Sequence, residues 1–259
     1  MLQDTQMIIH EFPKNEDIKI YPIADVHLGA AEHLTGEWES FCRRVEMENA
    51  YLTIGGDLLN NGTKSSLTNC FDETMRPREA KRRMAEMLRP IKDKILAIVP
   101  GNHCARNKDV DDDPLYDIAA KLDIEDLYRE NMAFVKIRIG NPNNDGRRNP
   151  TYVLVVAHGA GGGALTGGAV NKAERFGYVL DGADALIVGH THKPFQTMPG
   201  KIKIDPFNNI VSIKPFRVIS VTSWLEWGGY AARKLLAPTS FAPQIITLCG
   251  NEKKITVQM

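Results

Sequence analysis

Residues 51–57 read Tyr51-Leu52-Thr53-Ile54-Gly55-Gly56-Asp57, an apolar run that stops on two glycines and one carboxylate. The β-formers predict a short buried strand, and Gly55-Gly56 let the backbone turn tightly enough to leave Asp57 exposed at its carboxyl end. Open α/β sheets place their chemistry at that edge. Just upstream, residues 18–24 form a second apolar run that ends on Asp25-Val26-His27-Leu28-Gly29. Residues 37–49 between the two runs carry Trp38, Phe41, Cys42 and Val45 on one helical face, so the segment predicts a β-α-β unit. Residues 7–12 are also β-like and are separated from residues 18–24 by Pro13-Lys14-Asn15-Glu16-Asp17, which predicts a hairpin or an edge strand.

Further along, strands ending on polar side chains recur. Residues 77–94 predict a helix with Ala80, Met84, Met87, Leu88 and Ile91 on one stripe, broken or kinked at Pro90. The strand at 95–99 ends on Gly101-Asn102-His103, and a short helix at 114–122 follows an acidic run. Residues 134–139 and 151–157 read as paired strands, the second ending on His158. A glycine-rich loop at 159–168 leads to a helix near 170–180, and the strand at 185–188 ends on Gly189-His190-Thr191-His192. Short strands follow at 201–205, 210–213, 216–221, 244–248 and 253–258. The expected architecture is α/β (α+β): two mixed β-sheets packed face to face with helices outside, a four-layer αββα sandwich in one domain over 1–259.

Composition narrows the class of protein. The chain has 259 residues, 43% hydrophobic and 25% charged, enough for one sizeable core. Lysine plus arginine equals aspartate plus glutamate at 32 each, so no overall charge draws it to nucleic acid or membrane. The N-terminal stretch has no basic region leading into a long apolar core, and no apolar run reaches membrane-spanning length. A cytoplasmic protein without a membrane partner is expected. Cys42, Cys70, Cys104 and Cys249 lack any Cys-x-x-Cys spacing, which predicts reduced thiols.

Five of the seven histidines, His27, His103, His158, His190 and His192, lie within three residues of a predicted strand end. Joined by Asp25, Asp57 and Asn102, they form a donor set suited to Mn, Fe, Zn, Co or Ni, and not to calcium. Two divalent cations outweigh two carboxylates, so such a site would be net positive and attract phosphate. A shared carboxylate can hold two metals roughly 3.5–4 Å apart, where together they acidify a bridging water and clamp the oxygens of an in-line displacement.

In this order, Asp25-x-His27, Gly56-Asp57, Gly101-Asn102-His103, His158 and Gly189-His190-x-His192 resemble the calcineurin-like metallophosphoesterase superfamily. The resemblance covers residues 25–192 and implies two metal positions, with Mn²⁺ the first expectation: Asp25, His27, Asp57 and His192 at one, and Asp57, Asn102, His158 and His190 at the other. It implies a β-sandwich flanked by helices, and it places His103 near the leaving group. Many members follow Gly-Asn-His with an acidic residue; here Cys104 stands there and reads as a small buried filler.

Several other residues are candidates for contacts with substrate. Asn60, Asn61 and Lys64 follow Asp57, Arg106 follows His103, and Asn171, Lys172 and Arg175 follow the glycine loop, which lacks the Gly-Lys-Ser/Thr ending of a P-loop. The basic helix face of Arg78, Lys81, Arg82, Arg89 and Lys92 reads as a solvated face or a nucleic-acid track, and Trp224 and Trp227 as core or as a base-stacking rim. Asp25-Val26-His27-Leu28-Gly29 is similar to the opening motif of the superfamily's DNA-repair nuclease branch, and no large inserted cap interrupts the blocks. The expected substrates are therefore phosphodiesters of nucleotides or nucleic acid. The alternatives are a phosphomonoesterase or phosphoprotein phosphatase, or a non-catalytic scaffold.

Overall fold

The computed structural model describes residues 5–64, 66, 70–106, 112–141, 149–161 and 165–259, less the side chain of Tyr230. Its strands are β1 (Ile8–Phe12), β2 (Ile18–Ile23), β3 (Ala50–Ile54), β4 (Ile95–Ile98), β5 (Met132–Ile139), β6 (Thr151–Ala157), β7 (Ala185–Val188), β8 (Phe195–Thr197), β9 (Gly200–Asp205), β10 (Ile210–Pro215), β11 (Arg217–Ser220), β12 (Ile245–Leu248) and β13 (Ile255–Gln258). Helices are α1 (Thr35–Met47), α2 (Pro77–Leu88), α3 (Pro114–Lys121), α4 (Thr166–Val179) and the short α5 (Gly229–Arg233).

Two large sheets form, in the orders β1-β5-β6-β7-β11-β8 and β13-β12-β2-β3-β4. Between them lies an aliphatic layer to which Ile20, Ala97 and Val99 contribute from one sheet and Ile137, Leu154, Ile187 and Ile219 from the other. Helices α1, α2 and α3 cover the outer face of the five-stranded sheet through Trp38, Phe41, Met84, Leu88, Leu115 and Ile118. Helix α4 covers the six-stranded sheet through Ala169 and Ala173 against Leu186 and Val218. The order of layers is helix, sheet, sheet, helix, as expected.

Of the hairpin and the edge strand expected at residues 7–12, β1 is the edge strand: it pairs in parallel with β5 at the end of the six-stranded sheet, so residues 13–17 carry the chain across the sandwich. Strands β9 and β10 form a separate two-stranded sheet and join neither large one. Strand β8 and helix α5, absent from the sequence expectations, are three and five residues long, too short to show a period. Pro90 does end α2, and residues Arg89–Lys94 continue as a 3₁₀ helix.

Strands β2, β3 and β4 are mutually parallel, as are β6 and β7, so their carboxyl ends gather at one edge of the sandwich. Among the described residues no helix is long and apolar enough to cross a membrane.

Candidate metal centre

The ladder between β2 and β3 continues past the strands: Asp25 N–H donates to Gly56 O at 3.1 Å and His27 N–H to Asp57 O at 2.9 Å. On the other sheet Gly189 N–H donates to His158 O at 2.9 Å. These contacts carry strand geometry into the loops that hold the polar side chains. Asp25, His27, Asp57, His190 and His192 all have left-handed φ, from 50° to 68°. That conformation is costly for residues other than glycine and is typically retained where a site requires it. Glycines then allow close approach: a Cβ on Gly101 would lie 2.1 Å from Asp57 Oδ1, and one on Gly189 2.7 Å from Asp25 Oδ2.

The donor atoms converge in two groups. In the first, His27 Nε2 lies 3.1 Å from His192 Nε2, and Asp25 Oδ1 lies 3.4 Å from His192 Nε2 and 3.7 Å from His27 Nε2. In the second, His158 Nε2 lies 3.1 Å from Asp57 Oδ2 and 2.9 Å from Asn102 Oδ1, while His190 Nδ1 lies 2.7 Å from the same amide oxygen. Asp57 also falls within reach of the first side, grouping with His27 and His103. All seven residues expected as ligands therefore meet at one place. His10 and His33 bond elsewhere, to Leu96 O and to Thr35.

The donor set fits divalent cations. Asp25 Oδ1 is buried without a hydrogen-bond partner among the described residues, an acceptor that a cation would satisfy. The ring orientations suit ligation as well: His158 Nδ1 donates to Gly55 O at 2.7 Å, which leaves Nε2 turned inward.

Burial pulls His158 down, but the hydrogen bond and charge of Asp57 outweigh it and lift its pKa to about 9. Burial likewise opposes a charge on His192, and Asp25 raises it. Asp57 is raised by burial but is held at about 2 by His158 first and by the other histidines. Ligation requires neutral imidazole, so cation binding near pH 7 must expel the His158 proton. Apparent affinity should therefore rise with pH until about 9, by roughly tenfold per unit for each proton released. Calorimetry in buffers of differing ionisation enthalpy would measure the release; a pH-independent affinity would contradict it.

His103 is supported from both nitrogens. Nδ1 lies 2.5 Å from Asn60 O, which can only accept, so the ring proton sits there. Nε2 lies 2.9 Å from Arg106 Nη2, which can only donate, so Nε2 is the acceptor. Burial first, then His27 and the Arg106 guanidinium, push His103 down to about 3, and the ring is neutral. The Asn60 carbonyl thus accepts the ring proton, as an acidic partner of His103 would, while Arg106 caps the other nitrogen. Cys104 is buried, and burial pushes its thiol up, as expected of a filler.

Asn60 and Asn61 sit behind His103. The Asn60 amide donates to Glu73 Oε1 at 2.7 Å, and that of Asn61 donates to His103 O at 2.8 Å. Glu73, not singled out in the sequence, also accepts from Gly62 N–H at 2.8 Å and ties down this loop; an isolated acidic residue gives no signal for that. Lys64 lines a separate hollow with Glu73 and Arg76. Lys172 lines a cavity beside His158, whereas Asn171 and Arg175 are exposed on α4 outside that lining. Residues 162–164 of the glycine loop lie outside the described residues.

Lys81 pairs with Asp112 and Asp117, Arg82 with Glu86 and Lys92 with Asp123, while Arg89 donates to Lys121 O. Arg78 is exposed. Trp224 is fully buried, with Trp38, Phe41 and Phe241 around it, and belongs to the core. Trp227 is exposed and donates to Leu236 O.

Among solved structures, a metallophosphoesterase from Sphaerobacter thermophilus is similar at 15% identity and a TM-score of 0.42, over 93% of this chain and 87% of that one. The calcineurin-like phosphoesterase YfkN from Bacillus subtilis is similar at 12% identity and a TM-score of 0.42, over 94% and 90%. No curated protein sequence matches. The profile of the calcineurin-like phosphoesterases matches residues 18–194, a span that begins with β2 and ends just past His192, and this chain belongs to that family.

Proposed function

We propose that the protein is a two-metal phosphodiesterase acting on phosphodiesters of nucleotides or nucleic acid. The observation that carries the reading is the convergence of three overlapping donor groups built from Asp25, His27, Asp57, His103, His158 and His192 at the edge where two sheets meet. Asp25, His27 and His192 would hold one cation, Asn102, His158 and His190 the other, and Asp57 would serve both. Manganese is the first candidate, since the N/O donor set suits several transition ions. When bound, the pair supplies an acidified water and neutralises charge on the phosphoryl oxygens.

The chain's own residues do the rest. Asp25 Oδ2 accepts from His190 N–H at 2.7 Å, and Asp57 Oδ1 from His103 N–H at 2.9 Å, so each carboxylate is oriented by the loop it faces. His103, on the leaving-group side, holds the Arg106 guanidinium, whose fixed donors match phosphoryl oxygens. Among the described residues this is the one arginine beside the cluster, which suits the single negative charge of a diester better than a monoester dianion.

The test compares rates with manganese on bis-(p-nitrophenyl) phosphate and single-stranded oligonucleotide against p-nitrophenyl phosphate and a phosphopeptide. The diesters should be preferred in kcat/KM. Monoesters turning over more than about tenfold faster would replace this reading with a phosphomonoesterase.

A further inference from the structure

Strands β9 and β10 form a ribbon whose two outer edges pair with no other strand among the described residues. The antiparallel register sets Ile202 opposite Ile213 and Ile204 opposite Val211, so these four side chains share one face, with Gly200 opposite Pro215 at its base. The other face holds the ribbon to the body of the protein. Lys201 Nζ donates to Gly177 O at 2.6 Å and lies 4.1 Å from the centre of the Phe216 ring, and Lys214 Nζ lies 3.2 Å from Asp184 Oδ1. With the lysine face anchored, the aliphatic face is turned outward: its four side chains are 70–76% exposed, and Phe207 at the tip is 94% exposed. This inverts the usual pattern of a surface ribbon, whose polar face meets water. Two strands alone are marginal in water and gain stability when such a face is covered.

We infer that this aliphatic face is a dimer interface, covered by the same face of a second copy of the chain. Area favours a copy: the five side chains offer on the order of 700 Å², beyond the largest apolar patch of a typical monomer, and two copies face to face would bury roughly 1,400 Å², the size of a specific interface. Charge favours it as well. The alternation leaves no charged side chain on the face, so nothing repels an identical copy and nothing complements a charged partner. Shape gives the arrangement. A two-fold axis lying across the strands sets Ile202 of one copy against Ile204 of the other and Val211 against Ile213, and it brings Phe207 over the Gly200–Pro215 end, where Gly200 contributes no side chain. A lipid surface fits less well, because insertion would carry the unpaired backbone of both outer edges into hydrocarbon.

Sedimentation velocity over a micromolar concentration series reads the association without metal, substrate or turnover. The wild-type chain of 28.9 kDa should sediment at twice that mass. Ile204→Lys and Ile213→Lys place a charge inside the interface and should each weaken association at least about tenfold. Both positions are largely in water in the single chain, so far-UV circular dichroism should match the wild type; if one variant loses its fold, the other decides. Met47→Lys, at an exposed apolar position on α1, should leave association unchanged. A monomer throughout the series, a dimer untouched by both ribbon variants, or one broken equally by Met47→Lys would overturn the inference. So would a monomer that co-sediments with phosphatidylcholine–phosphatidylserine vesicles and loses that binding in the ribbon variants, which would make the face a membrane contact.

Discussion

Asp57→Asn is expected to abolish hydrolysis and to empty both cation positions together, lowering affinity for each by at least ~10²-fold. Its carboxylate groups with Asp25 and His158 on one side and with His27 and His103 on the other, so the variant removes the charge common to both. The amide keeps the shape, so the loss reports charge and ligation. Gly101→Ala should mimic it with no change at any donor residue: the added Cβ would stand 2.1 Å from Asp57 Oδ1 and 2.7 Å from Asp57 N, and the carboxylate must leave its position. Elemental analysis of both variants after loading and desalting checks this. Metal retained at wild-type stoichiometry in Asp57→Asn would remove the shared-ligand assignment.

Much of this site was legible because each part is a local event. An apolar run of four to seven residues stopping on glycine and a ligand can be read without knowing where the strand goes, and that held for β2, β3, β4, β6 and β7. What brings the five ends together is pairing across the chain, such as β2 with β3 and β6 with β7, and the family pattern supplied that order. The sequence was silent where the deciding contact is distant. Alternation in β9 and β10 looks the same in a large sheet as in a separate hairpin. The Glu73 carboxylate and the Arg106 guanidinium act through a loop that ends near Asn60, and no spacing rule connects them. Trp224 could not be assigned to core or rim until its neighbours Trp38 and Phe41 were placed.

His103→Ala and Arg106→Ala should separate from Asp57→Asn by keeping their metal. Each is expected to slow turnover by roughly 10²-fold, and the double variant should lose little more than either single one, because the imidazole and the guanidinium act as one unit. The geometry is specific: Arg106 donates to His103 Nε2 at 2.9 Å and to Asn60 O at 2.8 Å, so removing either side chain takes away one of the other's anchors. Arg106→Lys should recover only part of the rate, since a lysine lacks the planar fork. Kinetics on diesters with leaving groups of graded pKa, run on both single variants and the double, measure the coupling. Multiplicative losses would show two independent roles.

The central claim is a pair of cations held at the edge where the two sheets meet. Titration of metal-stripped protein with Mn²⁺, following bound metal and hydrolysis of bis-(p-nitrophenyl) phosphate on the same samples, tests it most directly. The account predicts saturation at two ions per chain, with activity appearing as the second position fills. Saturation at one ion with full activity, or no binding and no hydrolysis at any manganese concentration, would contradict it.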